Sequence, residues 1–243
     1  MDLPHTLAAR LYLLACDVDR ERLMHRSRLG LVLRAAALDD LLRRGLLTTD
    51  SRGRPAVAGT GRTGDPLFDE VLGAVAAGKP RPWRAWVTER AKAAVGQTGR
   101  SLADDGMVRQ SSRRALLLFP VRRVRVSHPE VVGELRRRVR RILHGSVRVQ
   151  QLDRRDAAMV SLAAEGRLAG VFHPESLGSH DVLLRKLRAR VGPVAWALRG
   201  AVEARRRSSG GGDGGVGGDS GHGGDGGWGD SGGGDGGGGG GGE

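Results

Sequence analysis

The sequence predicts a mainly α fold: a single compact helical domain with two short β-hairpins, followed by a disordered Gly-rich C-terminal tail. Three observations lead there. Apolar residues recur at helical spacing through much of the chain, as in Leu29, Leu33, Ala36, Ala37, Leu41 and Leu42. From Ser208 to Glu243 the composition changes to Gly, Asp and Ser, with Val216 and Trp228 as the only core-type residues, too few to offset the entropy of ordering. No internal repeat or second linker divides the remainder, which is long enough to bury one core. Residues 1–207 are therefore expected to form the domain and 208–243 the tail.

The elements follow in order. The early apolar run Leu11 to Cys16 is far shorter than a membrane span and has no small-residue cleavage site behind it, so the chain is expected to stay in the cytoplasm. A helix is predicted from about Arg26 to Arg44, closed by Gly45 at its C-terminal end. The segments LLTTD and RPAVAG flank Ser51, Arg52 and Gly53 and read as the first hairpin. Asp65 is placed to cap a helix that has Pro66 in its first position and Leu67, Val71 and Leu72 on its buried face. Trp83, Trp86, Val87 and Ala91 begin a long helix predicted to end near Gly106. Ala115 to Phe119, with Val121, Val124 and Val126, supply candidate strands of a second hairpin within 107–126. Helices are then predicted at about Glu130 to His144, Arg154 to Leu168 and Asp181 to Val202, the last divided at Gly192 and Pro193.

Charge narrows the partner. The whole chain carries a formal +13, but the tail holds five Asp, one Glu and no Lys or Arg, so the body alone carries about +19. Such an excess attracts a polyanion, and the guanidinium fork suits phosphate because it donates two parallel hydrogen bonds. The run Arg136 to Arg141 taken by itself reads as a solvated helix face.

Catalytic chemistry finds no support. A single cysteine, Cys16, permits neither an intrachain disulfide nor a thiolate metal cluster, and it reads as a small core hydrophobe. Asp65, Asp69 and Glu70 look like an acid cluster, but acids belong in a first helical turn, and Asp153 is expected to cap in the same way. His128, His144, His173 and His180 lack ligand spacing, and no Ser or Cys nucleophile comes with a recognisable base motif. The sequence therefore predicts a non-enzymatic protein without metal or cofactor.

Three stretches identify a relationship: LRRGLL around Gly45, TGDPLFDEVL from Thr63 to Leu72, and LDRRDA from Leu152 to Ala157. In this order they resemble the Golgi phosphoprotein 3 family, in a bacterial-type member, over about Leu11 to Val202. TGDPLFDE is the most diagnostic piece, because its Gly, Pro and acidic positions coincide. The resemblance implies a peripheral membrane protein that binds anionic lipid headgroups, phosphatidylinositol 4-phosphate in the best-known members. The family's headgroup pocket has a tryptophan and an arginine before the LRRGLL-type motif and two arginines spaced i, i+3 on the long helix. Aligned on Gly45, the first two positions fall on His25 and Arg34; aligned on Gly106, the others fall on Lys92 and Val95. The implied headgroup-binding residues are thus His25, Arg34 and Lys92. The hairpin over 107–126 matches a family element that assembles oligomers and contacts the bilayer, which implies a homo-oligomer and membrane contact through Arg122, Arg123 and Arg125.

The expected function is therefore docking on an anionic phospholipid membrane by a cytoplasmic, peripherally membrane-associated protein. Two other readings stay open. The helix ending at Gly45 with a hairpin behind it resembles a winged-helix element, and a basic body can bind nucleic acid through phosphate contacts. A scaffold that recruits another protein fits equally.

Overall fold

Thirteen consecutive residues, Leu29 to Leu41, are buried, and they lie in one helix, α2 (Arg26–Arg43). A helix buried on every side can only be the axis of its domain. The computed structural model describes residues 3–59, 61–115, 119–145, 148–168, 172 and 176–208. The tail beyond Ser208, expected to be disordered, lies outside the described residues.

Around α2 pack α1 (Leu7–Leu14), α3 (Pro66–Ala77), α4 (Trp83–Thr88), α5 (Ala91–Asp104), α7 (Arg154–Glu165) and α10 (Pro193–Ser208). An outer set comprises α6 (Pro129–Leu143), the short α8 (Ser176–Ser179) and α9 (Asp181–Val191). Among the described residues the strands form three antiparallel pairs: β1 (Cys16–Asp17) with β2 (Arg22–Leu23), β3 (Leu47–Thr49) with β4 (Pro55–Val57), and β5 (Val108–Ala115) with β6 (Phe119–Val126). The mainly helical class is as the sequence predicts; the β1–β2 pair and α1 are additions to it. Strands of two residues carry too little alternation to be read from sequence.

Several predicted signals act as expected. Gly45 adopts φ 70° after α2, and Leu46 N–H bonds back to the Leu41 carbonyl at 3.0 Å, the closing bond of a glycine-terminated helix. Asp65 Oδ1 accepts from the backbone N–H of Leu67 at 2.8 Å and of Phe68 at 3.2 Å, capping α3. Gly192 and Pro193 separate α9 from α10. Cys16 is fully buried in the core, where burial pushes its thiol up to about 12.

Others are corrected. The long helix expected from Trp83 is two helices, because Glu89 is extended and Arg90 adopts φ 46°, which interrupts the turn between α4 and α5. Asp153 stands at the start of α7, yet its side chain makes no capping bond there among the described residues. The second hairpin pairs Val108–Ala115 with Phe119–Val126, and residues 116–118, which the sequence reading puts in a strand, lie outside the described residues.

α2 also buries three charged residues, each with a partner. Asp40 Oδ2 accepts the Leu7 N–H at 2.7 Å, closing the start of α1, and Arg43 bonds both Asp39, at 2.9 Å, and Asp40. Arg34 turns the other way, towards α3 and α4.

Candidate anion-binding site

α2 and α5 begin in the same unusual way. The residue before each, His25 and Arg90, holds left-handed backbone with φ of 47° and 46°. Neither start is capped by a side chain among the described residues, and cations occupy the first turns: Arg26 and Arg28 on α2, Lys92 on α5. Free N–H groups make a helix start partially positive, so acids are the favoured residues there and cations are opposed. An anion seated nearby relieves both the open N–H groups and the like charges.

Gly30 joins the two helices. A Cβ built on it would lie 2.2 Å from the Ala91 carbonyl oxygen and 3.4 Å from the Lys92 nitrogen, so only glycine lets the early turns of α2 and α5 touch backbone to backbone. Lys92 is exposed beside this contact, and His25 is exposed at the head of α2. Of the sequence-predicted headgroup residues, Lys92 thus lies at this contact, while His25 stands five residues before Gly30 on the chain.

Arg34 lies one turn beyond Gly30 on the same face of α2, and it is fully buried. Its Nε donates to the Trp86 carbonyl at 3.2 Å, and its Nη1 is bonded to Glu70 Oε2. Nη2 is buried with no hydrogen-bond partner among the described residues. Burial pushes the guanidinium below the ordinary arginine range, against the opposing pull of Glu70 and Glu89. Glu70 also faces the exposed Arg90, whose Nη1 lies 3.7 Å from Oε1. One carboxylate thus links a buried arginine to an exposed one at the start of α5. Val95, the fourth aligned position, is buried.

The TGDPLFDE motif now has a physical division of labour. Asp65 caps α3. Asp69 Oδ1 accepts from the Thr63 N–H at 2.6 Å and its hydroxyl at 2.8 Å, tying down the loop before the helix. Glu70 reaches α2 and α5. Sequence reasoning missed Glu70 and Arg90 as site residues, though an arginine inside the apolar run of α2 signals a buried counter-ion.

The hairpin supplies a second basic surface. Cross-strand register pairs Arg109 with Arg125, Ser111 with Arg123 and Ser112 with Arg122. Directly paired residues share a face, so Arg109, Arg123 and Arg125 lie together. Glu21 stands against them at 3.8 Å from Arg123 and 3.7 Å from Arg125, while its own carbonyl accepts the Val124 N–H at 2.7 Å. The Arg122 side chain lies outside those described. On α6, Glu134 pairs with Arg137 and Arg141, consistent with a solvated face. Among the described residues no cluster of three or more His, Cys, Asp or Glu is placed to hold a metal ion.

These features define a mainly helical domain built on one buried helix and carrying a β-hairpin with Arg109, Arg123 and Arg125 on one face. The chain belongs to the Golgi phosphoprotein 3 (GPP34) family, whose model matches residues 7–205. No curated protein matches it.

Proposed function

We propose that this protein is a non-enzymatic peripheral membrane protein that docks on anionic phospholipid headgroups, phosphatidylinositol 4-phosphate or a lipid of similar charge, through the starts of α2 and α5. The observation that carries the reading is the junction at Gly30, where the fifth residue of α2 meets Ala91, the first of α5, two helices whose first turns carry cations and, among the described residues, no capping bond from the residue before them. Family membership and the +19 body support it. Among the described residues no helix is long and apolar enough to cross a membrane, which fits attachment from one side. In this reading Lys92 and His25 face the headgroup, while Arg34 acts from behind by fixing Glu70 and, through it, Arg90. Arg123 and Arg125 add diffuse attraction.

The nucleic-acid reading is weakened by the burial of α2: the helix that a winged-helix element would place in a groove has no free face between Leu29 and Leu41.

Flotation on phosphatidylinositol 4-phosphate vesicles, beside a DNA titration at equal salt, tests the assignment. With roughly 1 kcal/mol per cation near the bilayer, Arg90→Ala with Lys92→Ala should lower vesicle affinity roughly thirtyfold. Arg137→Ala with Arg140→Ala, on the solvated face of α6, should lower it far less. Equal losses would leave bulk charge alone as the cause and remove the site.

A further inference from the structure

Tyr12, Phe68, Trp83, Trp86 and Phe172 are buried, but Trp196 on α10 is 54% exposed. The inner face of its ring rests on Arg188, whose Cζ is 4.9 Å from the ring centroid, and Arg188 Nε donates to Glu165 at 2.6 Å. That buried ion pair needs a cover, but a smaller side chain would provide one without leaving half an indole in water.

What surrounds the ring indicates a partner. Gly200 lies one turn on from Trp196, on the same face of α10, and a Cβ built on it would be 3.4 Å from Arg84 Cδ. α10 thereby packs on α4 within a segment, 79–92, that carries Lys79, Arg81, Arg84, Arg90 and Lys92 against one acid, Glu89, itself bonded to Arg81. Arg199, three residues from Trp196, is neutralised by Glu203 at 2.8 Å, so Arg84 supplies the local excess charge. An exposed indole beside a cationic segment matches the interfacial region of an anionic bilayer, where the ring sits at headgroup depth and the cations meet phosphate.

We infer that Trp196 is a membrane anchor: its indole enters the headgroup layer of an anionic bilayer while Arg84 beside it binds lipid phosphate. This rests on the membrane reading above and adds a contact outside the α2–α5 junction.

The test uses the full chain carrying Trp228→Phe, with phosphatidylcholine–phosphatidylglycerol vesicles whose acyl chains are brominated. Trp83 and Trp86 are buried and serve as internal references. Docking should quench and blue-shift the Trp196 emission, and Trp196→Ala should lower partitioning about tenfold. Trp196→Phe, which keeps the cover over Arg188, should restore part of the affinity and keep its unfolding midpoint within a few degrees of the parent, so that the loss it retains is one of membrane contact and not of fold. Vesicle binding with Trp196 emission unquenched overturns the anchor and leaves the headgroup site standing. Absence of binding to any anionic vesicle overturns both.

Discussion

Glu70 is the counter-ion of a fully buried arginine thirty-six residues before it, Arg34, and it shares its other oxygen with Arg90 at the surface. A charge taken out of water is tolerable only while its partner stays, and one guanidinium nitrogen of Arg34 is already without a bond among the described residues. The pair therefore specifies how α3 meets α2 more than it adds stability.

That asymmetry gives the first prediction. Glu70→Gln should destabilise the domain by about 3 kcal/mol, because it strands a buried cation. Replacing both partners, Arg34→Met with Glu70→Leu, should recover most of that loss. Chemical denaturation of the two variants measures the difference; a double variant no more stable than Glu70→Gln would show that the pair itself holds α3 in place.

Gly30→Ala sets two effects against each other. Alanine in a helix interior is favoured over glycine by up to about 1 kcal/mol. The added methyl would meet the Ala91 backbone at 2.2 Å, and backbone cannot step aside as a side-chain tip can. Overpacking of this kind costs about 1–3 kcal/mol, so the clash wins and the midpoint of thermal unfolding should fall. Vesicle binding should fall further than that of an equally destabilised core variant such as Val139→Ala, since α5 must move away from α2.

Gly45, Asp65 and the Gly192–Pro193 break acted as read, because each is a local signal whose physics lies within a few residues. The division between α4 and α5 was not legible: Glu89 and Arg90 are both good helix formers, and the turn is interrupted by the left-handed backbone of Arg90. Arg34 was placed on the right helix, yet its burial follows from six surrounding helices that no spacing rule within α2 can supply. The identity of its partner required a contact between residues far apart in the chain. Alignment names His25 and Lys92, and the place of Lys92 at the α2–α5 contact depends on Gly30, whose close approach no local signal announces.

Asp69 should make the domain acid-sensitive. The Thr63 backbone N–H, followed by its hydroxyl, holds the carboxyl below 3.8, its ordinary value. A depressed acid stabilises the fold while ionised, so its contribution is present above about pH 4 and is lost as pH falls through the lower folded value. Asp69→Asn removes that dependence. Unfolding followed from pH 7 down to about 2.5 should show the variant less stable at neutral pH and its curve flatter than that of the parent at the acid end.

Ionic strength separates a built headgroup site from general attraction. Exposed cations act through solvent, where the screening length shrinks from about 30 Å at 0.01 M salt to about 8 Å at physiological strength, so the share of binding due to Arg123, Arg125 and the α6 arginines should fall away as salt rises. Lys92 and the open N–H groups of α5 act at contact distance, where direct hydrogen bonds to a phosphate persist. Binding of phosphatidylinositol 4-phosphate vesicles should therefore drop with salt to a plateau, and Lys92→Glu should remove the plateau while lowering the low-salt limb only by the share of the two charges it changes. Substituting Arg123 and Arg125 together should do the reverse, lowering the low-salt limb and sparing the plateau. A single monotonic decline to zero in the unmodified protein, unchanged in shape by Lys92→Glu, would mean that the helix starts hold no headgroup and that charge density alone brings the protein to the membrane.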